Sequence, residues 1–228
     1  MPRANRSSTT TLDALEIVPA LSTLFPFIGA VLILALIPGP DLLLLVSRGV
    51  GHGWRVALLT ALGFTTAGLI QLPLLAVGLA SIVRHSPTAF ALLKYAGAFY
   101  LIWRGVQLMR SRRILTLQTN SSTSPWIALR DGMVASLTNP KGLVFLLAFL
   151  PQFVDPSRGH VTLQLLVLGL VMKVTALLVE ASIALASGAV GSWLGKHPRF
   201  VQWQHRGSGV ILILLGLRLL TMREARAR

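Results

Sequence analysis

The chain has 228 residues, of which 54% are hydrophobic and only 12% charged, and its formal charge is +14. Soluble domains carry roughly 25% charged residues, so the composition excludes an ordinary soluble fold and leaves no room for a soluble domain beside a membrane bundle. Zero cysteines exclude disulfides, thiolate catalysis and thiolate metal sites.

Residues 1–20 are polar and of mixed charge, and read as a disordered tail. The apolar run that follows is too long for the core of a secretory signal, so it is expected to stay in the protein. Segment one covers about 24–46 and contains ILALIPGPDLLLLV (33–46). Here a greasy run is broken by Pro38, Gly39 and Pro40 and followed at once by Asp41. Two prolines each remove a backbone donor and clash with the preceding turn, and the glycine between them adds freedom. In lipid such a break is tolerated only against protein or a water-filled cavity. A carboxylate at that depth marks a functional site by default.

A basic, glycine-rich turn is expected at 47–55. Segment two, about 56–83, is a run of 28 uncharged residues, where a span needs about 20. Its Gly63 and Ala67 are four apart, a spacing that allows close helix approach within the fold or in a homodimer. Gln71 reads as an interhelical hydrogen bond or a substrate contact. Segment three covers about 89–109, with Lys94 and Arg104 placed to snorkel to the two interfaces. The hydrophilic stretch 110–131 reads as a loop. Segment four, about 132–149, carries Asn139, Pro140 and Lys141 early. Segment five, about 161–186, holds Lys173 and Glu180. Segment six is about 201–220, and a basic tail occupies 222–228.

The fold class expected is all-α: a polytopic membrane protein of about six transmembrane helices. A single bundle over 21–221 divides into halves at 24–109 and 132–220. Each half opens with a proline-broken segment. With three spans per half, the second half must be inverted relative to the first. Inverted repeats place broken helices at a midplane site, where half-helix N-termini face carboxylates and C-terminal carbonyls face cations.

The surplus of Lys and Arg lies in short connections rather than on one soluble face. That argues against a nucleic-acid partner and for a topology signal, with attraction to membrane lipids as a side effect. Near the spans, the side of loops one, three and five is the more basic, which predicts both termini outside.

Three stretches resemble one family: PGPDLLLLVSRGVGHGWRVALLTALGFTTAG (38–68), LLKYAGAFYLIWRGVQLMR (92–110) and TNPKGLVFLLAFLPQFV (138–154). In this order and spacing the chain is similar to the LysE/RhtB family of bacterial amino-acid exporters, from about residue 24 to 220. The resemblance implies six spans in the bacterial inner membrane and secondary, ion-coupled export of an amino acid or close derivative, with H+ the expected coupling ion. It carries over the motif positions Pro38, Gly39, Pro40, Asp41, Asn139, Pro140 and Lys141. Segment five departs from the family pattern in holding both Lys173 and Glu180.

Single residues keep alternative readings. Asp41 could bind a substrate ammonium, carry the coupling proton, or cap the resumed half-helix. Lys141 could hold a substrate carboxylate, pair with Asp41, or snorkel. Asn139 could cap its helix or touch ligand. Lys173 and Glu180 lie seven apart, on about one helical face and roughly 10 Å apart along the axis. Either each pairs with another helix or both line a polar path. No nucleophile–base pair or metal motif is present, so an enzyme is not expected. No cofactor or ATP-binding loop is called for, so an ion gradient is the expected energy source. The competing readings are a non-transporting scaffold or assembly subunit, and an exporter of a different small solute.

Overall fold

The computed structural model describes residues 19–37, 39–110 and 124–221. The tail through residue 18, Pro38, the stretch 111–123 and the tail from 222 therefore lie outside the described residues. The described residues are 92% helical. The helices are α1 (Leu21–Leu36), α2 (Pro40–His52), α3 (Trp54–His85), α4 (Pro87–Arg110), α5 (Pro125–Leu137), α6 (Pro140–Val144), α7 (Val161–Lys196) and α8 (Pro198–Thr221). A π turn (Phe145–Phe149) and a 3-10 turn (Leu150–Phe153) continue α6.

The helices α3 and α7 are each long and apolar enough to cross a bilayer. The pairs α1–α2 and α5–α6 are bent by 59° and 51°, and each pair together has the length and apolar composition of a broken span or a re-entrant loop. With 24 residues each, α4 and α8 are about 36 Å long, which also matches a span. Six helical units result, three per half, and each half opens with a bent one.

The inversion is visible in which residues meet. On α4 and α8, Gly105 lies against Gly209 while Ala98 lies against Gly216, so one helix descends as the other climbs. On α3 and α7, Gly68 receives Lys173 while Gly169 receives Leu72, again antiparallel. The third units of the two halves thus pair with opposite direction, as do the second units. Each half's second helix also packs on the first limb of the other half's bent unit: α3 on α5, and α7 on α1.

Two boundaries differ from the sequence expectation. The turn at 47–55 contracts to Gly53, because α2 runs on to His52 and α3 starts at Trp54. Gly53 has φ +87°, a conformation costly for any residue with a Cβ. The loop expected at 110–131 ends early, since α5 begins at Pro125. Ser124 Oγ accepts from Ile127 N at 3.3 Å, and Pro125 occupies the first helical position, where its missing donor costs nothing.

Gly63 and Ala67 are both buried, and Gly63 packs on α5 of the same chain. Lys94, expected to snorkel, is instead only 3% exposed, beside the ring of Tyr95. His205 is also buried, on α8.

Candidate functional site

The two bends build the site from matching parts. In the first, α1 ends at Leu36, and Gly39, in extended backbone, leads into α2 with Pro40 and Asp41 in its first turn. In the second, Asn139, also extended, leads into α6 with Pro140 and Lys141 in the same two places. The two breaks therefore present a carboxylate and an ammonium at equivalent positions of opposite halves. Lys141 Nζ lies 3.2 Å from Asp41 Oδ2. It also donates to Ile37 O at 3.1 Å and to Leu34 O at 3.4 Å. Those carbonyls close the C-terminal end of α1, where the helix dipole is negative. The Lys141 ammonium thus ties the second half to both limbs of the first bent unit. This is partnering, not snorkelling: its side chain is 12% exposed.

Asn139 Oδ1 accepts from Lys141 N at 3.0 Å, so Asn139 acts as a helix cap while also lining the cavity described next. Asp41, in the first turn of α2, gains both the helix N-terminus and Lys141.

Beside this pair lies a cavity of about 70 Å3. At ~10–15 Å3 per water, it holds several. Asp41, Lys141, Lys173 and Glu180 all line it, with Thr65 and Ser136. Two acids and two bases from both halves therefore converge on one space. Asp41 and Lys141 are already paired. Among the described residues, no salt bridge engages Lys173 or Glu180, although Glu180 lies within the fields of Asp41, Lys173 and Lys141. Lys173 and Glu180 thus line one cavity rather than pairing with charged groups of separate helices.

A second cavity of about 20 Å3 lies on the α4 and α8 side of the break, lined by Gly39, Pro40, Tyr100 and Arg104, and it shares Lys141 with the first. Arg104, expected at the interface, stacks over Trp103 and donates to Gln107. Gln71 lines neither cavity. It follows Phe64, a lining residue, by seven positions, which puts it roughly 10 Å further along α3.

A family model described as LysE type translocator matches residues 32–223. The chain belongs to the LysE translocator family. LysE proteins are membrane transporters, not enzymes. The chain is 36% identical over 168 residues to an uncharacterized membrane protein of Vibrio cholerae, covering 73% of this chain and 80% of that one. It is 32% identical over 202 residues to a homoserine/homoserine lactone efflux protein of Salmonella typhimurium, covering 88% and 97%. A leucine efflux protein of Salmonella choleraesuis is 26% identical over 201 residues, covering 86% and 93%. No solved structure matches the chain.

In this LysE protein residues 39–41 and 139–141 form the two breaks; Pro38 lies outside the described residues. Lys173 was left open by sequence reasoning, although its seven-residue spacing from Glu180 was the available signal. Asp131 was missed. It accepts from Arg48 Nη2 at 2.7 Å, linking α2 to α5. Arg48, read from sequence only as a topology signal, is 13% exposed there. Arg48 and Asp41 are seven apart on α2, so two ion pairs on about one face clamp this limb to the second half. Asp131→Asn is expected to cost about 1–2 kcal/mol. The exchange of Arg48→Asp with Asp131→Arg should recover most of it, as measured by thermal unfolding in detergent. An exchange no better than either single change would show the two residues to be uncoupled.

Proposed function

We propose that this LysE protein exports a zwitterionic amino acid with an uncharged side chain across the bacterial inner membrane, driven by a proton gradient. The observation that supports it best is the cavity at the breaks, where Lys173 and Glu180 stand without ion-pair partners beside the Asp41–Lys141 pair. A zwitterion gives each a partner: Glu180 holds the ammonium and Lys173 the carboxylate. Buried charges persist only when paired, so a ligand bearing both signs is the natural complement. Most of the remaining wall is apolar, from Val31, Leu34, Ala35, Phe64, Met172 and Ala176. Thr65, Ser136 and Asn139 add neutral polar groups to that wall, which suits an aliphatic or small polar side chain and offers no counter-charge of its own to a third ionised group. The relatives named for homoserine and leucine efflux fit the same class.

Energy coupling in this reading runs through the ion pair. A proton on Asp41 removes the charge that holds Lys141 and loosens the tie between the two broken units. Proton entry is thereby linked to their relative movement.

The test is transport of labelled amino acids in inverted and right-side-out vesicles, with and without an imposed proton gradient. Gradient-dependent movement of neutral amino acids is expected, at least tenfold above that of lysine or glutamate. Glu180→Gln should remove most of it. Movement of none of the panel by correctly inserted protein would overturn the proposal in favour of a different solute or a scaffold.

A further inference from the structure

Lys173 lines the cavity, and its outer end passes over residue 68, which has no side chain. Gly68 is buried on α3, one turn beyond the lining residues Phe64 and Thr65. A Cβ placed on Gly68 would overlap Cε and Nζ of Lys173 and lie 2.6 Å from its Cδ. The whole outer half of the lysine thus lies in the notch that the glycine leaves. The reciprocal contact, Leu72 over Gly169, is one turn away on each helix and fixes the register of the crossing. Lysine has four rotatable bonds and would otherwise sample many positions. The notch selects one of them.

We infer that Gly68 is a positioning residue: it sets where the Lys173 ammonium stands and thereby selects substrates that carry a free carboxylate. The inference rests on the role proposed above for Lys173. Gly68→Ala is well suited as a probe because the overlapping atoms are the far end of a flexible side chain. The helices can keep their packing while the ammonium moves by an ångström or more. A hydrogen bond to a charged group is lost readily by such a shift.

The experiment compares uptake into inverted vesicles of L-leucine and L-homoserine with that of L-leucine methyl ester, which keeps the ammonium and lacks the carboxylate. Gly68→Ala should raise KM for the two amino acids about tenfold with little change in maximal rate, and leave the ester unchanged. Lys173→Ala should do at least as much, and the double variant no more than Lys173→Ala alone. Equal effects on acid and ester, or additive effects in the double variant, would overturn the inference. A second measurement does not depend on transport. Gly68→Ala should lower the unfolding temperature when Lys173 is present and not when it is alanine, since the notch is then empty. If the wild type moves none of the three compounds, the amino-acid reading falls, and this thermal cycle still decides the notch. Equal destabilisation in both backgrounds would reject it.

Discussion

Asp41→Asn abolishes export while the amount of protein in the membrane stays as in the wild type: this is the expected result at the centre of the site. The asparagine keeps the shape and an acceptor oxygen towards Lys141, which also retains Ile37 O and Leu34 O. The fold therefore survives, but the group can neither carry a proton nor switch the charge that holds Lys141. Lys141→Met behaves differently. It strands a carboxylate that is 20% exposed and frees two carbonyls at the end of α1. Removing one partner of a buried pair costs about 3–5 kcal/mol, while replacing both is often neutral. Lys141→Met should thus lose both export and roughly 3 kcal/mol of stability. The double variant Asp41→Asn with Lys141→Met should regain most of the stability and none of the export. Unfolding followed by the fluorescence of the five tryptophans, together with vesicle transport, separates the two effects. Full export by Asp41→Asn would falsify its part in coupling.

A second large effect lies away from the charges. Gly63 and Gly132 face each other where α3 crosses α5. A Cβ on Gly132 would overlap the Thr60 carbonyl oxygen and stand 3.1 Å from the carbonyl carbon. A Cβ on Gly63 would overlap the Leu129 carbonyl oxygen and stand 2.9 Å from Met133 N. Both obstacles are backbone, which cannot rotate aside as a side chain can. Helix pairs in lipid gain much of their association from such close approach. Gly132→Val is expected to leave almost no folded protein in the membrane. Gly132→Ala should lower the unfolding temperature by many degrees. Gly78 is the control: a Cβ there meets nothing within 4 Å, so Gly78→Ala should be neutral or gain up to about 1 kcal/mol from helix propensity. Membrane levels and unfolding temperatures of the three variants test this together. Wild-type stability in Gly132→Val would mean that the crossing is looser than the structure has it.

The sequence by itself determined the class, the spans and the breaks. Apolar length is a local property, so segments two, three, five and six were placed close to α3, α4, α7 and α8 from hydropathy and flanking charge. Proline acts on its own turn, so the interruptions before Asp41 and Lys141 were legible. The start of α5 was equally local and was missed, because Ser124 and Pro125 were read as part of a polar loop when they form a cap and a first helical position.

What only the tertiary structure decided is which groups meet. A helix that is apolar all round gives no periodic signal for its buried face, so the rotation of α3 and α7 could not be read from the chain. That rotation puts Lys173 into the notch at Gly68, directs Glu180 to the same cavity and leaves Gln71 outside it. Packing likewise decided the burial of Lys94 on α4, whose position near a helix end suggests contact with water. Asp41 and Lys141 stand 100 residues apart in the chain. Their pairing required the second half to be inverted onto the first, so that equivalent breaks faced each other across one polar space.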